Sequence, residues 1–159
     1  MSELFTVTLL IRLVASFICS VAFAVLFRVA ERYLFAAGCS GVLVYFIYHL
    51  VLCIDPSMLF AAAFLSTGAG AIFAEVYARI RRTPVTVILS PAIIPTVPGG
   101  DIYYTMQRLL SGAADEAANY FFRTMNVALG IAGGIVVIAI VFRVATDWMN
   151  KLKKRKSTK

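Results

Sequence analysis

Of the 159 residues, 61% are hydrophobic and only 14% are charged, and the mean hydropathy is +0.88. Water-soluble domains use about 45–50% apolar and about 25% charged residues, so this composition excludes an ordinary soluble domain and predicts a chain solvated by lipid. Fifteen Lys and Arg against eight Asp and Glu give a net charge of +7. The basic residues gather at the ends of apolar runs, which marks membrane helix ends and argues against a nucleic-acid partner.

The chain reads as about five transmembrane helices of an all-α integral membrane protein. The first span is placed at about residues 8–28, with Arg12 snorkelling outward. The second, 34–54, contains His49, and Asp55-Pro56 turns the chain into the third, 58–78, which carries Glu75 near its basic end. The fourth, 84–98, is short. Its apolar part, Val85–Val97, would make only about 20 Å of helix against a hydrocarbon core of about 30 Å, and Pro84, Pro91 and Pro95 lie within or beside it. Interior prolines remove backbone donors and clash with the preceding turn, so a continuous helix is not expected there. An amphipathic helix follows at about 101–112, then a polar segment, a fifth span at 122–143 and a basic tail at 151–159.

Five crossings place Arg28, Arg32, Arg79, Arg81, Arg82, Arg143 and six tail residues on one side, and Arg12, Arg108 and Arg123 on the other. The positive-inside rule then predicts an outside amino terminus and a cytoplasmic carboxy terminus.

The candidate site is the stretch from Ser90 to Met106. Irregular backbone at membrane depth survives only where protein buries it or where it lines a wet cavity, and transporters use such breaks to bind substrate. The residues assigned to a substrate path are Pro91, Pro95, Pro98, Gly99, Gly100, Asp101, Tyr104, Thr105 and Arg108. Gly99 and Gly100 would let a ligand approach the backbone. Asp101 reads either as a helix cap or as a group that faces an ammonium or carries a proton. Arg108, seven residues on, reads as its neutralising partner or as a solvated helix charge. Asp101, Glu75 and His49 are the proton-coupling candidates. Glu75 has Arg79 four residues later as its natural ionic partner, and His49 has the competing role of a hydrogen-bonded bundle residue. Gly130 with Gly134, Ser66 with Gly70 and Ala74 with Ala78 have the spacing of close helix packing, within the chain or in self-association.

An enzyme is not expected. Gly99-Gly100-Asp101 lacks the glycine that membrane aspartyl proteases require where Pro98 stands, and HExxH and GxSxG are absent. The three cysteines stand singly without metal-ligand spacing, and no cofactor is expected.

Pro91-Ala92-Ile93-Ile94-Pro95-Thr96-Val97-Pro98-Gly99-Gly100, continued by Tyr103-Tyr104-Thr105-Met106, resembles the membrane domain of the threonine/serine exporter (ThrE-like) family. More closely, the chain is similar to the small YjjB-like proteins, which correspond to the carboxy-terminal half of larger exporters. The resemblance implies a subunit of a secondary transporter in the bacterial inner membrane, exporting threonine, serine or related small organic acids. It also implies a separately encoded YjjP-like partner. With no ATP-binding sequence, proton antiport is the expected energy source. A non-transporting membrane scaffold is the competing reading.

Overall fold

The computed structural model describes residues 2–157, with side chains described over 7–148. Six helices follow one another: α1 (Ser2–Leu26), α2 (Glu31–Ile54), α3 (Leu59–Arg81), α4 (Thr86–Ile93), α5 (Gly99–Leu110) and α6 (Ala114–Ser157). A 3₁₀ turn, Ile94–Thr96, prolongs α4. Four of them, α1, α2, α3 and α6, are long and apolar enough to cross a membrane, and the fifth apolar segment is the shorter Thr86–Thr96. The chain is an all-α membrane protein.

Small residues set the packing. Lipid tails are as apolar as leucine, so helices associate in lipid through close backbone approach and dispersion, for which Gly, Ala and Ser are suited. The buried residues are accordingly dominated by alanine, with Val44, Ile88 and Val127 among the few larger ones, while residues such as Leu10, Ile18, Phe35 and Leu65 are exposed on the outside. Gly130 and Gly134 of α6 seat against α3. A Cβ on Gly130 would stand 2.6 Å from the Phe60 carbonyl oxygen, and one on Gly134 would stand 2.6 Å from that of Phe64. The expected small-residue pairs thus act within the chain. Gly70 of α3 takes the side chain of Val44 from α2, and Gly41 of α2 takes Ser20 from α1.

These contacts fix direction. Phe60 meets Gly130, Phe64 meets Gly134 and Arg79 meets Phe142, so α3 and α6 run parallel. Arg79 donates to the Phe142 carbonyl at 3.4 Å and lies 5.1 Å over its ring. Arg28 shares a cleft with the start of α4, and Arg32 shares another with Arg81 and Arg82. Arg28, Arg32, Arg79, Arg81, Arg82 and Arg143 therefore gather at one end of the bundle. From that end α4 runs inward, wedging Ile88 and Leu89 against Ala36, Ala71 and Ala74, and its 3₁₀ continuation packs on α1 and α2.

The last helix differs from its expected extent. The polar segment after Ala113 forms the first turns of α6, and the helix runs on to Ser157 through most of the basic tail. Asp115 and Glu116 in the first turn suit the positive helix end. Gly130 is level with Phe60 at the start of α3, so Ala114–Leu129, about 24 Å of helix at 1.5 Å per residue, precedes the stretch of α6 that packs on α3. α5 packs on α6 and on nothing else to a comparable extent. Two arginines, Arg28 (φ 55°) and Arg82 (φ 51°), end α1 and α3 in the left-handed region, which costs a non-glycine residue roughly 1–2 kcal/mol.

Candidate substrate path at the broken helix

The break is narrower than the spread of prolines suggests. Pro91 sits inside α4 and is buried, and its fixed φ is compatible with a helix. What it withholds is an amide: the carbonyl of Val87 has no i+4 donor, nor does that of Pro91, because residue 95 is also proline. The helix tightens to 3₁₀ at this point, and the Thr96 hydroxyl donates to the Ile93 carbonyl at 2.8 Å. Val97 then turns extended (φ −64°, ψ 130°), as the ring of a following proline demands. Pro98 caps α5, and Gly99, Gly100 and Asp101 are its first three residues. Asp101 is thus in the first turn of α5, not at its cap, which corrects the capping role.

α5 and the start of α6 form an antiparallel hairpin about Gly112 (φ 79°). Arg108 Nε lies 3.2 Å from Glu116, the rings of Tyr104 and Tyr120 are 5.4 Å apart, and Arg123 Nε lies 3.5 Å from Asp101. The partners stand four, eight and eleven residues either side of Gly112. The Arg108–Glu116 contact is ionic without hydrogen-bond alignment. Arg108 therefore does not neutralise Asp101; Arg123 does. Seven residues along a helix is about 10 Å, too far for Asp101 and Arg108 to touch, whereas the returning helix brings Arg123 alongside.

Asp101 is mostly buried, with its side chain 20% exposed, against 55% for Arg123. Tyr48 of α2 is within electrostatic range of both, so the pair stands at the junction of bundle and hairpin. Thr105 donates its hydroxyl to the Asp101 carbonyl at 2.7 Å. A Cβ built on Gly99 or Gly100 meets nothing within 4 Å. The glycines leave open space beside the break and are not demanded by packing.

At the basic end the same segment opens on a cleft of about 450 Å³, lined by Arg28, Tyr33, Val87, Ser90 and Pro91 among others. The other candidates lie apart from the break. Glu75 pairs with Arg79 at 3.5 Å at the basic end of α3. His49 Nδ1 is 3.5 Å from Cys53 Sγ, and its ring is 6.4 Å from that of Tyr45. Among the described residues, no group of His, Cys, Asp or Glu is disposed to hold a metal ion.

Arg123 and Tyr48 are the neighbours that sequence reasoning missed. Arg123 had a legible signal, because charges of opposite sign stand at equal distances either side of Gly112. Tyr48 had none, since its place depends on how α2 packs.

A multi-pass helical bundle with one interrupted helix belongs to the class of architecture that carriers use for substrate sites. The model of the family described as threonine/serine exporter, ThrE, matches residues 12–141, and the chain belongs to that family. Family membership implies transport of the threonine/serine exporter type. No curated protein and no solved structure matches the chain.

Proposed function

We propose that this chain is one half of a secondary exporter and that the segment from α4 through Pro98 into α5 lines the substrate path. The observation that carries this reading is the break itself: a helix interrupted at Val97-Pro98, with open space at Gly99 and Gly100 and an ion pair, Asp101–Arg123, beside it. An amino acid is a zwitterion. Its ammonium matches Asp101 and its carboxylate matches Arg123, so substrate replaces each partner of the pair with a group of the same charge. The carbonyls of Val87 and Pro91, which lack the usual i+4 amide donor because residues 91 and 95 are proline, supply further acceptors along the way.

The cleft at the basic end admits substrate from the cytoplasm. This follows from the positive-inside rule applied to the arginines gathered there, and it puts the carboxy terminus in the cytoplasm of a bacterial inner membrane. Protonation of Asp101 from the outside releases Arg123 and couples efflux to proton entry. The complementary half is a YjjP-like subunit, in keeping with carriers that bind substrate between two halves. Threonine and serine are the substrates.

Liposomes containing both halves and loaded with threonine or serine test the reading. Efflux faster than from empty liposomes, accelerated by an inward proton gradient, is expected. Efflux equal to that of empty liposomes overturns it and leaves the scaffold reading.

A further inference from the structure

Between the start of α2 and the end of α3, at the basic end, lies a second cleft of about 340 Å³ lined by Arg32, Tyr33, Tyr77, Ile80, Arg81 and Arg82. We propose that it binds the phosphate of an anionic lipid headgroup.

Three guanidiniums border one cleft, and none of them makes an ion pair with an acid among the described residues. The nearest acid on α3, Glu75, is engaged by Arg79. Like charges held together in this way repel unless an anion joins them, and guanidinium geometry favours phosphate oxygens through paired N–H donors. The aromatic rings fix the donors. Arg32 Cζ lies 4.7 Å over the Tyr33 ring, and Tyr33 is buried edge-on against Tyr77 at 6.4 Å. Stacking occupies the face of the Arg32 guanidinium and leaves its N–H edge free to bond an anion.

Backbone strain points the same way. Arg82 ends α3 at φ 51°, a position where glycine is the usual residue. A strained arginine where glycine would be unstrained indicates that its side chain has a use. The position supplies the choice of anion. The cleft lies between two membrane-crossing helices at their basic ends, where phospholipid headgroups lie, and basic pockets in such places bind acidic headgroups.

The test is native mass spectrometry of the full chain in detergent, with phosphatidylglycerol, phosphatidylethanolamine and inorganic phosphate as separate probes. Wild type is expected to retain phosphatidylglycerol at least fivefold more than phosphatidylethanolamine. Replacing Arg32, Arg81 and Arg82 together by Gln is expected to abolish that preference. Replacing Arg143, Lys151 and Lys153 by Gln removes the same charge elsewhere and is expected to preserve it. Arg82→Gly guards against misfolding, since it relieves the left-handed strain: its melting temperature is expected to equal or exceed wild type while phosphatidylglycerol retention falls at least twofold. Equal retention by wild type and the Arg82→Gly and triple arginine variants overturns the proposal, as does equal loss in the tail variant. If inorganic phosphate alone binds as tightly as phosphatidylglycerol, the site takes a free anion and the lipid assignment is overturned.

Discussion

The seam between α3 and α6 and the segment from α4 to α5 are built on opposite terms. In the seam, glycine is compulsory: a single added carbon at Gly130 or Gly134 would overlap backbone, and the facing Ala63 and Thr67 are buried. In the α4–α5 segment, glycine is optional, because Gly99 and Gly100 face open space. The seam has two glycines and no room; the break has two glycines and room to spare. Close packing resists displacement and gives a frame. A helix that breaks off into glycines facing open space gives a surface that substrate can reach. On the proposed reading the seam supplies stability and the α4–α5 segment the substrate path, and that division can be broken by experiment.

The largest effect is expected in the seam. Gly134→Ala forces a Cβ against the Phe64 carbonyl and should destabilise the bundle by about 1–3 kcal/mol, the range for overpacking, read as a lower thermal midpoint in detergent. Gly100→Ala should leave that midpoint unchanged or raise it, because alanine is the better helix former by about 1 kcal/mol. Equal losses at both positions would erase the distinction between frame and path.

Next comes the ion pair. Asp101→Asn and Arg123→Gln should each lower efflux at least tenfold, while thermal stability changes little, since a partly exposed pair contributes about 0–1 kcal/mol. Arg108→Gln breaks only the hairpin's outer pair with Glu116 and should lower efflux by less than threefold. A larger effect at Arg108 than at Arg123 would move the path outward along the hairpin. Bulk in the open space is the third case: Gly100→Leu and Pro95→Ala should slow efflux several-fold without preventing membrane insertion, measured as efflux per inserted protein.

The smallest effect lies outside both regions. At the turn between α2 and α3, the Ser57 amide donates to Asp55 Oδ1 at 2.8 Å and holds that carboxyl below its ordinary value. A lowered folded-state pKa contributes stability above the ordinary carboxylate value and loses it as pH falls through the lowered one. Asp55→Ala should therefore reduce the thermal midpoint slightly at pH 7, and the gap from wild type should close in acid. A gap that widens in acid would show that the carboxylate opposes the turn.

Much of this contrast was legible in the residue order. The four-residue spacing of Gly130 with Gly134 marks a close-packing face, and Pro91, Pro95 and Pro98 mark an interruption, because both are local rules of backbone chemistry. Glu75 with Arg79 was legible too, as neighbours one turn apart. The partner of Asp101 is not legible along α5, where Arg108 reads as a neutralising partner or as a solvated charge, because a carboxylate takes its neutralising charge from whichever helix comes back beside it. That depends on the turn at Gly112, not on spacing along α5. The extent of α6 was hidden for a similar reason. A polar segment such as Asp115–Asn119 reads as a loop until the helix that supports it, α5, is in place.

The central claim, that the broken segment and not the seam carries substrate, is tested most directly by substrate protection of introduced cysteines. In a background with Cys19, Cys39 and Cys53 replaced by alanine, Ser90→Cys, Thr105→Cys and Thr67→Cys are labelled by a small thiol reagent in vesicles holding the assembled exporter. The account predicts that threonine slows labelling at Ser90 and Thr105 at least threefold, while the Thr67 position, buried in the seam against Gly134, labels negligibly with or without it. Labelling at Ser90 and Thr105 that is indifferent to threonine, or protection appearing at Thr67 instead, would contradict it.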